Sequence, residues 1–216
     1  MRMSETSEFN LREQLRRAAS GDDDCWRRLL EEHNGRLRRM VAIRLDPRLQ
    51  GRLDPSDVLQ ETYLEASRQL DDYLSRPGPP FHLWLRGLAG NRLNKLHRRH
   101  LGASKRDAGR DVSLAEPVPE ASSAVLAAHL MGNDERPSDA AHRADVQSRL
   151  TEALEQLDPL DREALVLRHF EQLTSAEAGQ VMGISEAAAG KRYLRALERL
   201  RQLLADTPGG LDAFRT

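Results

Sequence analysis

Three groups of residues have types and spacings that could do chemistry. Asp57, Gln60 and Glu61 recur at i, i+3 and i+4, so on a helix they share one side. An acidic, amide-bearing face of this kind suits docking onto an Arg-rich protein surface, although exposed helix carboxylates are ordinarily just solvated. The second group is the stretch from Arg86 to Arg106. It carries Arg86, Arg92, Lys95, Arg98, Arg99, Lys105 and Arg106 and no acidic residue, a charge pattern that attracts a polyanion. On a helix Asn91, Asn94, Lys95 and Arg98 fall on one face, combining amides able to read base edges with cations able to hold phosphates. Phe81 and Trp84 lie just upstream, where they could serve as stacking surfaces for unstacked bases or as core anchors.

The third group is Thr174 to Leu197. A capping-box spacing at Thr174-Ser175-Ala176-Glu177 starts a short helix, Gly183 turns the chain, and a second helix from Ser185 bears Lys191, Arg192, Arg195 and Arg199. This is the layout of a DNA-binding helix-turn-helix, with Gly179 small enough for two helices to cross closely. The plain alternative is a helical hairpin with a solvated basic face.

Enzyme chemistry finds little support. Gly183 to Lys191 reads G-x6-G-K and is followed by Arg192, whereas a phosphate-binding P-loop needs four residues between its glycines and then Ser or Thr. His97 and His100 could share a metal by spacing, but the flanking arginines oppose a cation. With one cysteine, Cys25, an internal disulfide and four-cysteine metal sites are excluded by counting. No metal or cofactor is expected.

The elements that must position these groups are helical. Apolar residues recur at offsets of three and four around Leu11 to Ala19, Trp26 to Leu45, Val58 to Leu70, Phe81 to Leu101, Val146 to Leu157, Leu160 to Phe170 and Ser185 to Leu204. Gly21 to Asp24, Asp46-Pro47, Pro77 to Pro80 and Asp158-Pro159 punctuate them, and nothing alternates as a strand would. An all-α protein is therefore expected. In a chain of 216 residues with 4% aromatics, its core must be largely aliphatic.

Net charge is only -1, so bulk charge does not point to nucleic acid and local charge must decide. Residues 111 to 145 hold seven acidic residues against two basic ones and no Phe, Trp or Tyr, which reads as an acidic linker, with Ser122 to Met131 able to form a short helix. No segment is apolar enough for a signal peptide or a membrane span, so a soluble, cytoplasmic protein is expected.

In order, these parts are an acidic docking helix, a Pro-rich break, a Trp-initiated basic helix, an acidic linker and a helix-turn-helix. That order resembles the sigma-70 family of RNA polymerase sigma factors, of the small extracytoplasmic-function (ECF) type. The strongest matches are DVLQETYLEA at 57 to 66, WLRGLAGNRL at 84 to 93 and LDREALVLRHFEQLTSAEAGQVMGIS at 160 to 185.

The resemblance implies a region-2-like helical bundle over 1–101, a flexible acidic linker over 102–145 and a region-4-like helix-turn-helix domain over 146–216. It further implies that Asp57, Gln60 and Glu61 dock on the β′ clamp helices of core RNA polymerase. Trp84, Asn91, Asn94, Lys95, Arg98 and Arg99 would meet the minus-10 element of promoter DNA. The second domain would lie over the β flap, with Ser185, Glu186, Lys191, Arg192 and Arg195 at the minus-35 element. Where the family commonly carries Thr-Val and a polar residue, this chain has Ala188-Ala189-Gly190, which shifts expected base reading to Lys191 and Arg195 and phosphate contact to Arg192. An anti-sigma factor is an open question at this level. Two other readings remain: a conventional helix-turn-helix regulator acting without polymerase, and a helical adaptor that binds only protein.

Overall fold

The structure is a computed structural model that describes residues 2–76, 78–101, 118–131 and 140–205. Among these residues there are helices and no strand. The chain divides into two compact units, one formed by 1–42 with 49–119 and the other by 43–48 with 120–216.

The first unit holds α1 (Arg2–Ala19), most of α2 (Asp23–Arg44), α3 (Pro55–Ser75) and α4 (Phe81–Leu101). Gly21, at a φ of 97°, makes the turn between α1 and α2 that a side chain would resist. There Asp22 accepts from the backbone N–H of Cys25 at 2.9 Å and from Arg17 at 2.6 Å, which hold its carboxyl below the ordinary range. Leu15, Leu29, Leu37, Met40, Val58, Leu59, Leu70 and Leu85 are buried, as their helical spacing requires.

The second unit comprises α5 (Ser123–Met131), α6 (Ala140–Glu155), α7 (Pro159–Leu165), α8 (Ser175–Met182) and α9 (Glu186–Ala205). Residues Val166–Phe170 continue α7 as a widened π turn, with the N–H of Glu171 donating to the carbonyl of Val166 at 3.0 Å. Its apolar core joins Leu126, Ala127, Val146, Leu150, Leu154, Leu165, Phe170, Ala196 and Leu200.

Within the stretch read as a linker, residues 118–131 are described and carry the short helix allowed for at Ser122 to Met131. Leu126 and Ala127 of α5 are fully buried in the second unit's core, and Arg162 donates to Ser123 Oγ at 2.8 Å and to the carbonyl of Ala121. A nine-residue helix is marginal alone, so this packing is what supports it. Helix α6 also starts at Ala140, earlier than its apolar repeat suggests. Asp111, Glu116, Asp134 and Glu135 of the acidic stretch lie outside the described residues.

Also in the second unit, Arg44 is buried and pairs with Glu163 at 2.6 Å and Glu171 at 2.7 Å. Burial alone would lower the arginine's pKa, but the two carboxylates outweigh it and hold the value well above the ordinary one.

Candidate polymerase and nucleic-acid interfaces

The first surface is built on the start of α3. Asp54 caps the helix by accepting from the N–H of Ser56 at 2.7 Å, which depresses its pKa, and Pro55 takes the first helical position. Asp57 completes a reciprocal capping box by accepting from the backbone N–H of Asp54 at 3.0 Å. Asp57, Gln60 and Glu61 are all exposed on one face, as their spacing predicts. The carboxylates are not idle, however: Asp57 is part of the cap and Glu61 pairs with Arg92 of α4. Leu64 continues the same face at i+7 from Asp57 and is 59% exposed, an apolar contributor that sequence reasoning missed. Its signal was present, since Leu64 stands three residues beyond Glu61 and off the buried positions Val58, Leu59, Thr62 and Ala66.

The second surface is the C-terminal half of α4. Trp84 does not belong to it: the ring is 7% exposed and stacks on Tyr73 with centroids 4.5 Å apart. Phe81 lies 5.7 Å from Trp84 and 6.2 Å from Trp26, so one aromatic cluster anchors the helix start. Trp84 stands three residues from Phe81 and four from Leu88, which puts it on the buried face. Arg86 is buried too. Asn91 and Asn94 are half-buried, whereas Lys95, Arg98 and Arg99 are exposed, so the cationic end of the helix is open to solvent. Val118 lies against α4 at Gly90, where a β-carbon would come 2.6 Å from its Cγ2.

The third surface is α8, its turn and α9. Thr174 and Glu177 form the expected capping box, with Thr174 N–H donating to Glu177 Oε2 at 2.7 Å and Glu177 N–H to Thr174 Oγ1 at 3.1 Å. Gly183 closes α8 in the left-handed region at φ 67°, ψ 30°. Ser185 then caps α9, its Oγ accepting from the N–H of Ala188 at 3.2 Å. Glu186 and Lys191 are exposed, and Ala189 and Ala196 face the core.

Arg192 and Arg195 of α9 are not free cations. Asp161, near the start of α7, accepts from Arg195 Nε at 2.6 Å and Nη2 at 3.0 Å, and from Arg192 Nη1 at 2.7 Å. Burial would raise the Asp161 pKa, but the hydrogen bonds from Arg195 and Arg192 outweigh it and hold the carboxyl low. Asp158 caps α7 and stands 3.5 Å from Arg192. Asp161 had no local sequence signal, because its partners lie 31 and 34 residues away.

The described residues thus form two helical units, one with an exposed polar face on α3 and an open cationic end on α4, the other a capped helix-turn-helix. Residues 147–200 match the family model described as Sigma-70, region 4. The chain is 31% identical over 196 residues to the RNA polymerase sigma factor CarQ of Myxococcus xanthus, covering 89% of this chain and 96% of CarQ. It is 32% identical over 185 residues to the ECF sigma factor SigD of Mycobacterium tuberculosis, covering 85% and 79% of the two chains. The solved structure of CnrH in complex with the cytosolic domain of CnrY matches with a TM-score of 0.52 and 25% identity, over 91% of this chain and 98% of that one. The chain belongs to the ECF sigma factors of the sigma-70 family.

Proposed function

We propose that this protein binds core RNA polymerase and directs initiation at particular promoters, with the labour divided between its two units. The exposed α3 face of Asp57, Gln60, Glu61 and Leu64 docks on the β′ clamp helices. The half of α4 carrying Asn91, Asn94, Lys95, Arg98 and Arg99 engages the minus-10 element. There the capture of unstacked bases drives melting by binding energy. Helix α9 enters the minus-35 major groove, and the second unit lies over the β flap.

The protein is a transcription factor and performs no catalytic step itself. It works in the cytoplasm with the polymerase; among the described residues no helix is long and apolar enough to cross a membrane. CnrH is seen with a protein partner, the cytosolic domain of CnrY. We extend to this chain an anti-sigma factor that occupies it when transcription is not required.

The observation that carries this reading is the order of surfaces along one chain, matched over nearly its full length by sigma factors. A conventional helix-turn-helix regulator would leave the α3 face and the α4 cations without a role. Electrophoretic mobility of purified core polymerase with and without the protein, on promoter duplex, tests it: a promoter complex requires both. A complex formed by the protein alone, as a symmetric dimer, would contradict it.

A further inference from the structure

Asp161, in the first turn of α7, bonds to α9, the helix assigned above to DNA, and its chemistry bears on how that helix would read sequence. An arginine distinguishes guanine by a two-point contact to O6 and N7 from adjacent N–H groups. In Arg195 one such edge, Nε with Nη2, is already given to Asp161 at 2.6 and 3.0 Å. Arg192 gives Nη1 to the same carboxylate at 2.7 Å. The Asp161 side chain is 8% exposed and that of Arg192 26%, whereas that of Arg195 is 61% exposed, so the carboxylate end of these bonds is sheltered and the outer edge of Arg195 is open to solvent. Lys191, one residue from Arg192, is exposed and has no ion pair among the described residues. Asp161 thus offers the two arginines a buried anion in place of a DNA phosphate or base.

We propose that Asp161 is a specificity-setting positioning residue: it ties the Nε–Nη2 edge of Arg195 and the Arg192 Nη1, which limits what the two guanidiniums give to DNA and leaves base reading at the minus-35 element mainly to Lys191. This inference rests on the assignment of α9 to the minus-35 groove. Arg192 and Arg195 then have only their outer edges available, beside the exposed ammonium of Lys191. Without the carboxylate, both guanidiniums would be able to reach phosphates on any sequence. Each additional phosphate neutralised steepens the dependence of log K on log salt by about 0.9. Between 50 and 200 mM salt, that is about a 3.5-fold greater loss of affinity per phosphate.

The test uses full-length protein with core polymerase and two duplexes: one carrying a start site selected with this holoenzyme, and one with its upstream element shuffled. Asp161→Asn keeps the shape and removes the charge. It should tighten binding to the shuffled duplex at 50 mM salt several-fold, narrow the ratio between the two duplexes, and steepen the salt slope by about one phosphate. Adding Arg195→Gln to Asp161→Asn should return the slope toward the parent's, and Asp161→Glu should preserve much of the parent's discrimination. A purely structural role predicts weaker binding to both duplexes with an unchanged slope, and that result overturns the proposal.

A second comparison does not depend on the fold of the Asp161 variants. Arg195→Gln alone should leave discrimination near the parent's, and Lys191→Ala should reduce it; an equal loss in both overturns the proposal. If the parent holoenzyme failed to separate the duplexes, the minus-35 assignment of α9 would fall and this inference with it. Parent discrimination that Asp161→Asn leaves unmoved, with an unmoved slope, overturns this inference alone.

Discussion

A β-carbon placed on Gly179 would lie 2.8 Å from the carbonyl oxygen of Ile184 and 3.2 Å from the backbone nitrogen of Glu186. The same two residues share a hydrogen bond, Ile184 N–H donating to the Gly179 carbonyl at 2.9 Å. Helix α8 therefore approaches the start of α9 backbone to backbone, and the neighbours cannot rotate away as a side chain would. Gly179→Ala should push the helices apart at a cost of about 1 to 3 kcal/mol. We expect a lower thermal midpoint and loss of transcription from promoters that depend on an upstream element. An unchanged midpoint and full transcription would show that the turn yields more easily than its geometry suggests.

Substitutions on the α3 face should separate affinity for polymerase from stability. Leu64 is 59% exposed, so Leu64→Ala should leave the fold almost unaffected, as surface changes usually fall within about 0.5 kcal/mol, and should weaken binding to core polymerase. Gln60→Ala should behave alike. Asp57→Ala differs because it removes half of the capping box, and it should lower both polymerase affinity and the thermal midpoint. Paired measurements of core binding and thermal unfolding check this; core affinity unchanged in both Leu64→Ala and Gln60→Ala would remove the docking role.

The two DNA surfaces should fail differently. Lys191→Ala should reduce duplex binding at the upstream element by about 1 to 3 kcal/mol if its ammonium reads a base. Arg98→Ala or Asn91→Ala should instead slow open-complex formation on fully paired promoters. A premelted bubble at the minus-10 region should restore part of that second defect and none of the first. Identical behaviour of both variants on both templates would contradict the division of labour.

Within the second unit, Glu171 is a buried anion held by a buried cation, Arg44. Arg44 also pairs with Glu163 at 2.6 Å, so Glu171→Ala removes one of its two carboxylates and should destabilise the protein by less than the ~3 to 5 kcal/mol of a fully stranded charge. Replacing both, with Arg44→Met and Glu171→Leu, should recover part of that loss, because the buried pair is then uncharged and only the part-exposed Glu163 gives up a contact to Arg44. Chemical denaturation of the parent and the two variants measures both effects. A double variant as unstable as Glu171→Ala alone would mean that the pair contributes through more than mutual neutralisation.

Helix positions, caps and the turn glycine were legible because they are written in neighbours: Asp54 with Asp57, Thr174 with Glu177, Gly183 after Met182. The exposed face of α3 was equally plain. What local pattern could not show was where long-range partners would fall. Spacing alone lets Trp84 serve the core or face DNA, and it is the more distant Tyr73 that stacks on it. Nothing near Arg195 marks Asp161, 34 residues earlier, as its partner. The apolar run Ser123–Met131 hinted at a helix, but its burial depends on Leu150 and Leu154 of α6, which no short window contains.

The central claim is that this chain gives core RNA polymerase a promoter choice the polymerase lacks alone. Transcription from a library of promoter sequences by purified core enzyme, with and without the protein, measures it directly. The account predicts new, discrete start sites that require the protein and share minus-10 and minus-35 elements. These starts should be lost when Lys95, Arg98 and Arg99 are together replaced by Ala. Start sites identical with and without the protein would contradict it.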